Sequence, residues 1–254
     1  MKAPTVSVVV LCFVFGGALV GMFLRRYLPR DHFSAESYRV IVSSTGLVIT
    51  IVGIVVGMLV NAAKNTFDTT QNQISQFSSS VVMLDSLLAA YGPAAQGARS
   101  QLRTAVQTGL ERIWPQGQSR VQVDVNESSN ELDGVYRSVL ALAPTNDEQA
   151  MNKAQAIRVA TDLSQLRWLL LVKAGIDSPP VPLIVILTSW LTAIFITFGL
   201  FVPPANSTVV VVLFFCAAAV SAAIFIIIQM NNPLEGILTI SGAPLRAALK
   251  QLGK

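Results

Sequence analysis

An uncharged stretch of 57 residues, from residue 178 to residue 234, constrains the fold of this chain more than any other feature. It lies between Asp177 and Glu235 and is interrupted near its middle by residues 203–207, whose sequence is PPANS. A helix needs about 20 apolar residues to cross the roughly 30 Å hydrocarbon core of a bilayer. The stretch is therefore long enough for two crossings, and the Pro-Pro pair predicts the turn between them. We interpret it as a transmembrane hairpin.

Two further uncharged segments, residues 5–24 and 40–63, are each long enough to span a bilayer. A loop with four arginines separates them. The first segment exceeds the roughly 7–15 apolar residues of a signal peptide, so we interpret it as a retained helix. Only 13% of the residues are charged, against about 25% in soluble proteins. The sequence predicts an all-α integral membrane protein whose partner is the lipid bilayer, with four transmembrane helices in two hairpins.

The polar residues 64–177 separate the two hairpins and carry 10 Lys and Arg against 11 Asp and Glu. This balance leaves no basic face for nucleic acid. Apolar residues recur there at alternating steps of three and four, which predicts a helix that packs lengthwise on other helices. The positions are Phe67, Thr70, Ile74, Phe77, Val81, Leu84, Leu88 and Tyr91.

Further helices are predicted over residues 94–113, 131–142 and 147–173, the last capped by Thr145 or Asn146. The chain then divides into four parts. They are a first transmembrane hairpin (1–63), an extramembrane helical bundle (64–177), a second transmembrane hairpin (178–230) and a C-terminal tail (231–254).

The seven-residue spacing of the apolar pattern continues backwards from Phe67 through Val60 and Gly53 to Gly46. No Pro or Gly interrupts residues 58–91. This pattern predicts that the second transmembrane helix continues unbroken into the helical bundle. The alternative is two separate helices that share a phase by accident.

Small residues form one stripe along the second transmembrane helix, because they recur at steps of three and four. They are Ser43, Gly46, Thr50, Gly53 and Gly57. Such stripes allow helices to pack closely in a bilayer, and Gly53 and Gly57 have the GxxxG spacing. The same residues could instead line a pore. On roughly the opposite face, Val48, Ile51 and Val55 either face lipid or form a hydrophobic constriction in an oligomer.

Ionisable residues are absent from all four apolar segments. Proton-coupled and ion-coupled carriers usually keep such a residue at membrane depth, so a passive pore is favoured over a coupled transporter. We interpret His32 as a solvated residue and predict no catalytic residue, metal site or cofactor. Cys12 and Cys216 are predicted to be buried thiols. A cluster of four acids lacks the spacing of a calcium-binding loop, and we interpret it as part of a solvated loop. The four are Asp124, Glu127, Glu131 and Asp133.

Three short patches carry a family resemblance. They are residues 44–64 of the second apolar segment, residues 198–206 around the Pro-Pro pair, and residues 232–246, which begin with Asn232-Pro233-Leu234-Glu235-Gly236. With the four-helix architecture, they resemble the bacterial bestrophin-like family, whose function is largely unassigned. A remoter similarity is to bestrophins, which are pentameric anion channels with a pore neck on the second membrane helix.

The bestrophin resemblance implies that Asn232, Pro233 and Glu235 form a post-membrane motif. Bestrophins follow this motif with an acidic calcium clasp, whereas here no charge follows Glu235 before Arg246. Bestrophin necks also use Phe, which is absent between Val40 and Asn61. Calcium gating and a Phe neck are therefore not expected.

Two functional hypotheses follow. The first is a ring-shaped homo-oligomer, for which the resemblance suggests a pentamer, that forms an anion-conducting channel from copies of the second helix. The alternative is a non-conducting membrane scaffold or sensor whose helical region binds a partner; an enzyme is not expected. Positive charges do not decide the sidedness. The resemblance favours a bacterial inner membrane protein with cytoplasmic termini and a cytoplasmic helical region.

Overall fold

All regular elements in the computed structural model are helices, within the residues it describes, which are 3–28, 35–114, 125–176, 181–201, 207–234 and 236–253. The helices are α1 (Ala3–Leu24), α2 (Ala35–Tyr91), α3 (Gln96–Ile113), α4 (Val125–Leu140), α5 (Asp147–Ile176), α6 (Val181–Phe201), α7 (Ser207–Asn231) and α8 (Ala243–Gln251). Four of them, α1, α2, α6 and α7, are long and apolar enough to cross a membrane. The all-helical prediction and the four apolar helices are confirmed.

The chain forms two compact units. The apolar unit comprises Met1–Phe67 and Ser178–Leu238, and the polar unit comprises Asp68–Asp177 and Thr239–Lys254. Helix α2 is a single helix of 57 residues that belongs to both, which confirms the predicted continuity. Residues 231–254, predicted to be one tail, are divided between the two units at Leu238.

The core of the apolar unit is formed by α1, α6 and α7, with a contribution from α2. Its fully buried side chains include Val14, Leu187, Ile224 and Ile228. The Ser221 hydroxyl of α7 donates a hydrogen bond to the carbonyl of Ser7 on α1. Eight residues further along α1, Phe15 packs edge to face on Phe214, at 5.3 Å between ring centroids. Because the residue number rises along α1 and falls along α7, the two helices are antiparallel.

The core of the polar unit follows the predicted seam of α2. Val81, Leu84 and Leu88 are completely buried against α3, α4 and α5. Asn146 caps α5, since its Oδ1 accepts a hydrogen bond from the amide of Gln149 at 2.7 Å. The Gln149 Oε1 in turn accepts the amide of Thr145 at 2.8 Å, which completes a reciprocal cap.

Two local predictions are wrong. The acids Glu127, Glu131 and Asp133 do not lie in a solvated loop, because α4 begins at Val125, six residues before the helix predicted over residues 131–142, and includes all three. Cys12 and Cys216 are free thiols, as expected, but both are exposed on the protomer rather than buried.

Candidate functional site

The apolar half of α2 is the least covered of the four candidate membrane helices. In the most apolar stretch of 18 residues of each helix, only 6% of the residues of α2 are buried within the chain, against 33% for each of α1, α6 and α7. One face of this half does contact the core of the apolar unit, through Val52, Val56 and Leu59. Most of the remaining circumference of the helix is exposed in the described part of the chain.

The small-residue stripe lies on this open part. Ser43, Gly46, Thr50, Gly53 and Gly57 are all exposed. At 3.6 residues per turn, the stripe is roughly 140° around the helix from the face that contacts the core. A Cβ atom added at Gly46, Gly53 or Gly57 would meet nothing within 4 Å. Within the described residues, the three glycines of the stripe therefore make no close packing contact, and a role in packing between copies or in lining a pore stays a prediction.

The residues predicted as a constriction divide between two environments. Val48 and Ile51 are exposed, by 38% and 50% of their surface. Val55 is half-buried and packs against the core of the apolar unit. Any constriction formed by this face would consequently involve Val48 and Ile51 more directly than Val55.

Helices α1 and α6 pack closely, which the sequence analysis did not predict. A Cβ atom at Gly21 would lie 2.1 Å from the carbonyl oxygen of Ile196, and one at Gly199 would lie 2.1 Å from that of Ala18. Gly17 faces Thr192 in the same way, one turn earlier, so α1 and α6 run parallel. The GxxxG spacing of Gly17 and Gly21 was the available signal.

The predicted post-membrane motif forms a turn that folds back on the end of α7. The Asn232 side-chain amide donates to the carbonyl of Ile228 at 3.1 Å. The Oε1 of buried Gln229 accepts the amide of Ile237 at 3.2 Å. Pro233 is half-buried in this turn, and Glu235 lies outside the described residues.

Gly236 is required by the geometry of this turn, which gives a testable prediction. Its φ is +109°, and a Cβ atom there would lie 2.0 Å from Gln229 Oε1. We expect Gly236→Ala to destabilise the turn by about 1–3 kcal/mol, because strained backbone and steric overlap add. Hydrogen exchange of the Ile237 amide should accelerate in this variant. Unchanged exchange would contradict the assigned geometry.

A largely buried charge cluster lies in the polar unit. Asp85, on α2, accepts two hydrogen bonds from Arg99, at 2.8 Å and 2.9 Å, and a third from the Gly253 amide at 3.2 Å. Burial raises the pKa of Asp85, but the Arg99 and Gly253 hydrogen bonds and the charges of Arg99 and Arg103 outweigh it. The pKa therefore lies below its ordinary value, and the cluster fastens the end of the chain to α2.

The described residues contain no group of three or more His, Cys, Asp or Glu side chains that could hold a metal ion. His32 and Asp124 lie outside the described residues.

Four long helices whose length and apolar composition suit a bilayer crossing are typical of helical membrane proteins. The model of the Bestrophin-like domain family matches residues 12–245, which is most of the chain, so the protein belongs to the bestrophin-like family. Comparisons with curated proteins and with solved structures give no significant match.

Proposed function

We propose that this protein is an oligomeric ion channel, selective for anions, whose pore is formed by symmetry copies of α2. The observation that carries the proposal is the exposed apolar half of α2, of which only 6% is buried within its own chain. Membership of the bestrophin-like family supports a channel rather than an enzyme.

The arrangement of faces on α2 suits a closed ring. Val52, Val56 and Leu59 contact the core of the protomer, while Gly53 and Gly57 point away from it without a neighbour. A cyclic oligomer would bring the open faces of several α2 helices around one axis. The resemblance to bestrophins favours five copies.

Anion selectivity is supported by the charge pattern. Residues 40–63 of α2 contain no carboxylate that would attract cations, and the whole chain has a formal net charge of +4. The hydroxyl group of Ser43 and the positive N-terminal end of α2 would remain to interact with an anion.

Two hairpins across the bacterial inner membrane are part of the same proposal. In this topology α1 and α6 cross in one direction and α2 and α7 in the other. The parallel crossing of α1 and α6 at Gly17 and Gly21 and the antiparallel contact of α1 with α7 support it. Both termini and the polar unit would then lie on one side, which we propose is the cytoplasm.

Native mass spectrometry of the detergent-purified protein, followed by chloride flux in liposomes, tests the proposal. We expect a closed ring of four or more copies and a chloride flux above that of protein-free liposomes. A monomer or dimer without flux would contradict the channel and favour the non-conducting scaffold.

Gly53→Leu is expected to impair the ring or its conductance. Overpacking costs about 1–3 kcal/mol at a close contact, which corresponds to about a fivefold to 150-fold weaker association. Loss of the ring would assign the stripe to packing between copies, and an intact ring with altered flux would assign it to the pore. Both readouts use the same mass spectrometry and flux measurements.

The matched control is Gly16→Leu on α1. An added Cβ at Gly16 also meets nothing within 4 Å, but this residue is not on the stripe. Wild-type assembly and flux in Gly53→Leu, or equal losses in both variants, would contradict a specific role for the stripe.

A further inference from the structure

An apolar groove of about 550 Å³ lies within the apolar unit, where α2 passes α6 and α7. It runs along α2 from Tyr38 to Ile49, and its other walls include Phe198 and Phe201 of α6 and Leu213 of α7. The Thr197 hydroxyl at its edge donates to the carbonyl of Ala193 within α6, at 3.0 Å. The groove therefore presents mainly hydrocarbon and aromatic surface.

The length of the groove matches one leaflet of a bilayer. From Tyr38 to Ile49 there are eleven helical steps, which at about 1.5 Å each span about 17 Å. One half of a hydrocarbon core about 30 Å thick is about 15 Å. An extended acyl chain that begins at the membrane surface would end near the far limit of the groove.

The chemistry at the Tyr38 end suits the polar part of a lipid. Tyr38 is 47% exposed and packs edge to face on Phe201 at 5.0 Å. Tyr side chains are enriched at the membrane–water interface. Arg39 is exposed beside it, close to the positive N-terminal end of α2. Glu36 in the same turn carries the opposite charge, so a phosphate is expected on the Arg39 side.

We propose that this groove binds one acyl chain of a membrane phospholipid, with the phosphate beside Tyr38 and Arg39. The site belongs to a single protomer and does not require the protein to conduct ions. Its bound lipid would lie against Gly46, the only stripe glycine that lines the groove in the described residues, and would leave Gly53 and Gly57 uncovered for contacts between copies or for a pore.

Val42→Trp tests the proposal by filling the groove, because Val42 lines it and is 47% exposed. The matched control is Val40→Trp, on the same helix but outside the groove and 66% exposed. Delipidated full-length protein would be titrated with phosphatidylglycerol and followed by native mass spectrometry. We expect Val42→Trp to lose the tightest-bound lipid, Val40→Trp to keep it, and Arg39→Gln to bind it at least fivefold more weakly.

Photo-crosslinking of the wild-type protein provides a second, independent measurement that does not depend on the folding of a variant. A phospholipid with a diazirine near the end of one acyl chain should label peptides containing Ile49 or Leu213. Labelling only elsewhere, or equal lipid binding by the two Trp variants, would overturn the proposal. Loss of oligomers in Val42→Trp with unchanged lipid binding would also overturn it, because a second copy would then occupy the groove.

The outcomes also separate this proposal from the channel. A monomeric, non-conducting protein that binds lipid in the groove would contradict the proposed channel and support the lipid site. A conducting ring without lipid in the groove would support the proposed channel and contradict the lipid site.

Discussion

Replacing Asp85 by Ala is expected to lower the free energy of unfolding of the polar unit by about 3–5 kcal/mol, the usual cost of removing one partner of a buried ion pair. The Asp85 and Arg99 side chains are 9% and 14% exposed, so the remaining guanidinium would be poorly solvated. Thermal unfolding of the full-length protein, followed by circular dichroism, measures the effect.

Asp85→Ala should also release the end of the chain. The Gly253 amide donates to Asp85, Arg103 donates to the carbonyl of Leu252 at 3.3 Å, and Leu252 is only 3% exposed. Without the carboxylate, we expect the amides of residues 252 and 253 to exchange faster. Unchanged exchange would show that the apolar contact of Leu252 suffices to hold the segment.

The control for charge is Asp162→Ala, which removes an exposed carboxylate on α5. A surface substitution of this kind usually changes stability by less than about 0.5 kcal/mol. The double variant Asp85→Leu with Arg99→Met should be more stable than Asp85→Leu alone, because it leaves no unpaired buried charge. Equal stability of the two would contradict the ion pair.

Low pH should weaken the contact of the Asp85 carboxylate with Arg99 and the Gly253 amide. The pKa of Asp85 is lowered in the folded protein, since hydrogen bonds from Arg99 and Gly253 outweigh the burial that raises it. The carboxylate therefore contributes its full stability above the unfolded-state pKa of about 3.9, and this contribution is lost as the pH falls through the folded-state pKa. Asp85→Asn should lack this component of acid sensitivity.

The sequence predicted features that depend on local periodicity. Val81, Leu84 and Leu88 repeat at helical spacing, and the structure buries all three. The continuity of α2 follows from the same repeat and from the absence of Pro and Gly over residues 58–91. These patterns depend only on residues within one helix, so they predict structure without knowledge of the helices that pack against it.

Contacts between distant residues could not be predicted in this way. Asp85 meets the Gly253 amide 168 residues away, and nothing in the spacing of either residue indicates the pair. Gly17 and Gly21 have the GxxxG spacing, but only the folded chain shows that Gly199 is opposite them. The stripe on α2 has similar spacing, but in the described residues an added Cβ atom at Gly46, Gly53 or Gly57 meets nothing within 4 Å. Small residues alone therefore did not identify the close crossing.

Replacing Gly21 by Leu should disrupt the apolar unit more than any other single glycine change on α1. The added Cβ would lie 2.1 Å from the Ile196 carbonyl oxygen and 3.0 Å from Gly199 Cα, which are backbone atoms that cannot rotate away. Overpacking typically lowers the free energy of unfolding by about 1–3 kcal/mol. Because α1 and α6 must separate along their length here, we expect a loss of at least about 3 kcal/mol. Fluorescence-detected size exclusion and thermal stability of the detergent-purified protein measure the loss of folded material.

A smaller substitution isolates the backbone clash from the bulk of the side chain. Gly21→Ala adds only the Cβ atom that overlaps with Ile196, whereas Gly16→Ala adds one where nothing lies within 4 Å. In a helix, Ala is favoured over Gly by about 0.5–1 kcal/mol, so Gly16→Ala should be neutral or stabilising. Gly21→Ala should be destabilising despite the same gain in helix propensity. If both variants were equally stable, α1 and α6 would not cross at the distance given by the structure, and the parallel crossing that supports the two-hairpin topology would have to be abandoned.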